Sequence, residues 1–93
     1  MNELKFELSK HYRKGFFTSE TIENDIKLIK KLNMLFGKLE KSEKEIYVQE
    51  IINVIKILNN VIKIENILVI IYNNVDIRYH DLLNHIVNRV IAE

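Results

Sequence analysis

Residues 53–73 read NVIKILN (53–59), NVIKIEN (60–66) and ILVIIYN (67–73), three consecutive sevens of which the first two differ at a single position. Seven residues make almost two turns of α-helix, so equivalent positions stack on one face with a slow drift. On that wheel Gln49, Asn53, Lys56, Asn60 and Lys63 form a polar stripe. Val48, Ile51, Ile52, Ile55, Leu58 and Ile62 form a broad apolar face opposite. The packing of the chain is predicted to centre here. An unbroken helix to Asn73 would set Asn59, Asn66 and Asn73 on the apolar face, where each amide needs a partner, such as one across an oligomer seam. A break near Asn59-Asn60 or over 63–66 converts those residues into caps and turns. A β-hairpin of VIKI and ILVIIY, joined at Glu65-Asn66, is the third reading, suggested by the β-branched content. Breaking the helix is the cheapest of the three.

Working outward, Asn73-Asn74 turns the chain and Asp76 can cap a last helix. Tyr79, Leu82, Leu83, Ile86, Val87, Val90 and Ile91 follow a 3–4 spacing to the C-terminus. In the other direction, Ser42-Glu43-Lys44-Glu45 matches a capping box, which predicts a helix start near 43. Before it, Thr18 caps a helix over about 19–36, with Glu20 in the first turn and Phe17 and Ile22 at hydrophobic-staple spacing. Ile22, Ile26, Ile29, Leu32 and Phe36 share one face, and Gly37 is the predicted stop. Leu4, Leu8 and Tyr12 suggest a short amphipathic helix over 2–13, with an extended LKFELS segment as the competing reading. The sum is an all-α fold, one domain over 1–93, built as a small oligomeric bundle of four to five helices.

Composition narrows the classes of function. Apolar residues make up 47% of the chain, enough for a packed core, so disorder is not the starting assumption. No Cys is present, which removes disulfides and thiolate metal sites. Sixteen Ile, eleven Asn and eleven Lys, with no Pro, point to an AT-rich gene. Met1 to Lys5 contain no apolar run resembling a signal peptide. The longest uncharged stretch, Asn66 to Val75, is ten residues, about half a membrane span. A soluble, cytoplasmic protein with no membrane association is expected.

No catalytic constellation stands out. There is no Gly-rich phosphate loop, no Cys nucleophile and no carboxylate pair in a predicted apolar pocket, so an enzyme is not expected. Asp76/His80 and Asp81/His85 are each four apart on a helix, but two ligands do not complete a metal site. No metal or cofactor is expected.

Two surfaces remain. Ile67, Leu68, Ile70 and Ile71 sit in a helix too apolar all round for a small domain to hide, which predicts contact with a second copy or another protein. Phe16 and Phe17, beside Gly15, form a second candidate knob, though closing the end of the core is the commoner use of such a pair. The other surface is basic. Lys10, Arg13, Lys14, Lys27, Lys30 and Lys31 could contact phosphate, with Tyr12 stacking on a base. Residues 1–44 hold ten basic and seven acidic residues, a mild asymmetry that Glu7, Glu20, Glu23 and Asp25 dilute.

The run KGFFTSETIENDIKLIKKLNMLFGKL (14–39), followed by YVQEIINVIKILNNV (47–61), resembles short uncharacterised helical proteins of T4-like phages, especially marine ones. The resemblance implies a phage origin, an accessory role and, with it, the host cell cytoplasm; it carries no functional residue. The leading expectation is a non-enzymatic interaction protein that binds a phage or host protein as adaptor, regulator or inhibitor. A nucleic-acid or nucleotide binder using the basic face is the alternative, and an immunity protein against a membrane-active peptide toxin is a third.

Overall fold

A computed structural model describes residues 2–15 and 17–92. Five α-helices occupy them: α1 (Asn2–His11), α2 (Ser19–Ser42), α3 (Glu45–Asn59), α4 (Ile64–Asn74) and α5 (His80–Ala92), with a 3-10 turn at Ile77–Tyr79. Among the described residues, the extended structure is one isolated antiparallel bridge between Tyr12 and Ile62. The all-helical expectation therefore stands, and the extended reading of LKFELS does not. The Cα radius of gyration, 12.8 Å, is close to the ~12 Å that a single packed chain of this length requires.

The repeat breaks where breaking is cheapest. Asn59 ends α3, and the Ile62 amide still reaches the Leu58 carbonyl at 2.9 Å before Lys63 opens α4 in extended conformation. The two sevens thus share letters but not structure. The first is helix interior; the second is a turn followed by a helix start that carries Glu65 in its first turn. Ile55 and Ile62 are both fully buried, and Asn59 and Asn60 both lie at the surface. The Arg13 amide donates to the Val61 carbonyl at 2.7 Å, tying the segment after α1 to this turn.

Two sequence expectations need correcting. Helix α2 does not stop at Gly37; it continues to Ser42 and ends at Glu43, a non-glycine residue in the left-handed region (φ 53°) whose amide donates to the Leu39 carbonyl. The Leu32, Leu35, Phe36, Leu39 spacing stays in helical register through the glycine, so packing outweighs its weak propensity. Gly37 faces Tyr79 across the helix flank, and an added Cβ would lie in contact, 3.4 Å from the Tyr79 hydroxyl. The capping box does not form either. Ser42 Oγ donates backwards to the Lys38 carbonyl, and Lys44 precedes α3 without a side-chain cap. The Thr18 cap does form, accepting from the Thr21 amide at 3.0 Å.

The third correction concerns the isoleucine-rich helix. Ile67, Ile70 and Ile71 are buried and Leu68 is half-buried, all within one chain. Helix α4 packs against α1, α2 and α3, so an apolar surface on most of its sides is what its position demands. Ile67, Ile70 and Ile71 are not available to a partner in this fold. Of the fully apolar run, Val69 is the residue left exposed. The amides around it are satisfied locally. Asn74 donates to the Ile70 carbonyl, while Asn33 on α2 donates to the Asn74 carbonyl and accepts from the Asp76 amide.

Candidate functional site

Lengthening α2 past Gly37 creates a feature that a loop at 38–41 would not. Its final turns and the tight connection at Glu43 set α2 and α3 back to back as a helical hairpin. Helix α5 lies against α3 in the opposite direction, since Arg89 near its end reaches Glu45 at the start of α3. The guanidinium donates to both carboxylate oxygens, at 2.9 and 3.4 Å, and Gln49 donates to the same carboxylate at 2.9 Å. These hydrogen bonds, that from Arg89 foremost, hold the Glu45 carboxyl below its ordinary range.

Between these three helices runs a groove of about 400 Å³. Buried Leu39 and Ile86 form its floor, half-buried Val48 and Leu82 its walls, and Glu40, Glu43, His85 and Arg89 its rim. An apolar floor open to solvent accepts aliphatic or aromatic side chains, and the rim sets the charge of what flanks them. Arg89 is neutralised by Glu45, so Glu40 and Glu43 give the rim a net negative character. Sequence reasoning assigned none of these residues to a binding site: Val48, Leu82 and Ile86 read as core-facing positions and His85 as half of an incomplete metal pair. The missed signal was Leu39, in helical register with Leu32, Leu35 and Phe36.

The six basic residues expected to contact phosphate are all exposed, while Tyr12 beside them is half-buried. Lys27, Lys30 and Lys31 line the solvent side of α2, Lys10 lies in the last turn of α1, and Arg13 and Lys14 follow it. Lys10 sits over the Phe6 ring at 4.2 Å. Tyr12 is not a stacking platform, which corrects that expectation. Its half-buried hydroxyl donates to Asp25 Oδ2 at 2.6 Å, and its ring meets Phe17 edge-on at 5.8 Å. Asp25 is only 4% exposed, the one buried charged side chain among the described residues. Burial pushes its carboxyl up, against the smaller opposing effect of the Tyr12 hydrogen bond. Burial and the neighbouring carboxylate together push the Tyr12 hydroxyl well above the ordinary tyrosine range. The pair is a structural clasp between the residue that follows α1 and the first half of α2.

Phe17 is 54% exposed, so it does not close the core, and Phe16 lies outside the described residues. His80 hydrogen-bonds the Val75 carbonyl at 3.0 Å and meets Tyr72 edge-on, while Asp76 accepts from the Arg78 amide. The Asp76/His80 spacing is thus used for capping and packing. Among the described residues, no group of three or more His, Asp or Glu side chains is placed to hold a metal, and no helix is long and apolar enough to cross a membrane. Compared with known proteins, the chain matches no family model, no curated protein and no solved structure.

Proposed function

We propose that this chain is a small protein-interaction module without chemistry of its own, and that it docks its partner in the groove between α2, α3 and α5. The supporting observation is the solvent-open apolar floor of Leu39 and Ile86 beneath the carboxylates of Glu40 and Glu43. Charge complementarity selects the occupant: a helical segment of another protein that places a leucine, isoleucine or phenylalanine on the floor, with lysine or arginine beside it. Affinity comes from the apolar anchor, while the rim carboxylates orient the segment and speed its approach. The setting we propose is that of an accessory protein binding a phage or host protein as adaptor, regulator or inhibitor.

Leu82 is half-buried on the groove wall, so it can be changed without emptying the core. Leu82→Glu should keep the helical circular dichroism and lose about tenfold or more in affinity for a partner captured by the wild type, as loss of a central anchor contact does. Lys27→Glu, on the far basic face, should retain that partner. A partner held equally by Leu82→Glu, or lost with Lys27→Glu, removes the groove reading.

A further inference from the structure

On the opposite flank of the same end of α2 lies a second cleft, of about 430 Å³, with a different chemistry. Lys38, Lys41 and Arg78 line it, together with Gly37, Tyr79 and one carboxylate, Glu40. Lys38 and Lys41 are three residues apart and so share a helix flank. Arg78 comes from the 3-10 turn some forty residues on, carried there by its neighbour Tyr79. The Tyr79 ring stacks on Phe36 with centroids 5.7 Å apart and planes 15° from parallel. The fold thus gathers three cations that the sequence keeps apart.

Little else occupies them. Arg78 Nε is 3.9 Å from Asp76, the outer limit of an ion pair, and both side chains are at least half exposed, so that contact is weak. Lys38 Nζ is 5.8 Å from the Tyr47 ring centroid, near the end of cation–π range. The Arg78 guanidinium lies 4.8 Å over the Tyr79 ring, which holds its plane and leaves its N–H edges for a planar acceptor. Tyr79 is otherwise buried, and its hydroxyl sits beside Gly37 in the cleft. That hydroxyl has no hydrogen-bond partner among the described residues and is a fourth donor. The missing side chain at Gly37 leaves backbone and hydroxyl open to a ligand.

We infer that this cleft binds an oligophosphate group. Three cations drawn from two elements match the spread charge of two or three linked phosphates better than that of one, and arginine adds bidentate geometry. The group could be free or belong to a nucleotide, in which case Met34, exposed in the same cleft, offers an apolar surface to the base. The inference is independent of the groove, since apart from Glu40 the two sites share no residue.

Titration calorimetry of the full chain at about 0.15 M ionic strength, where the Debye length is about 8 Å, with inorganic phosphate, pyrophosphate and ATP as probes, tests it. Pyrophosphate should bind saturably and about tenfold more tightly than phosphate, one further charge-assisted contact being worth that much. Lys41→Gln combined with Arg78→Gln, both on exposed positions, should weaken pyrophosphate by about tenfold or more. Glu40→Gln should tighten it, and Lys27→Gln with Lys31→Gln should change it by less than about twofold at this screened distance. ATP tighter than pyrophosphate identifies a nucleotide; equal affinities identify the phosphate group itself. Absence of saturable pyrophosphate binding, or an equal loss from the Lys27 and Lys31 substitutions, overturns the inference.

Discussion

At the scale of single residues, Asp25 is where charge and burial compete. A buried carboxylate is costly unless hydrogen-bonded, and the Tyr12 hydroxyl at 2.6 Å is the group that meets that cost. Tyr12→Phe should destabilise the protein by about 1–3 kcal/mol and push the Asp25 pKa further up, measured by denaturant unfolding and by carboxyl NMR titration. The pH dependence has a definite sign. Because the folded pKa lies above the ordinary 3.8, the folded state holds the proton more tightly. The Asp25 contribution is fully present below that ordinary value and is lost as pH rises through the raised one. Asp25→Asn keeps an acceptor for Tyr12 without the charge and should abolish that fall in stability with pH; an unchanged pH profile would exclude the mechanism. None of this was legible in the sequence. Asp25 reads as one more acidic residue diluting a basic face, and only the packing of α1 on α2 brings it to Tyr12.

At the scale of elements, local signals succeeded where nothing tertiary opposed them. Thr18 starts α2, Asp76 caps the turn before α5, and the paired sevens break at Asn59-Asn60 because asparagine costs less at a helix end than in a core. Local signals failed where packing overrode them. Gly37 reads as a stop, yet the apolar stripe through Leu39 carries the helix onward until Glu43 must adopt a positive φ. That strain is removable. Glu43→Gly should stabilise the protein by about 0.5–1 kcal/mol in urea unfolding, since glycine enters the left-handed region without a Cβ clash. A loss of stability would mean that the Glu43 side chain contributes more than its backbone costs. The groove escaped sequence reading for the same reason: its floor exists only if α2 outlasts its glycine.

At the scale of the whole molecule, the deciding fact is where the isoleucine-rich helix goes. Read alone, residues 67–71 carry more apolar surface than a small domain should hide, and a partner is the natural inference. The fold instead places α4 against three other helices, so the surface that pointed outward in the sequence is part of the core. The interaction we propose is therefore assigned to the groove at the C-terminal end of α2, where apolar and charged groups meet in the open. Ile71, fully buried, decides between these accounts, and thermal unfolding of Ile71→Lys followed by far-ultraviolet circular dichroism is the measurement that does so. A lysine forced into the core should abolish the cooperative transition and most of the helical signal, because an unpaired buried charge exceeds the stability of a domain this size. A variant that keeps its helix content and melts cooperatively near the wild-type temperature would contradict the fold described here and return that surface to a partner.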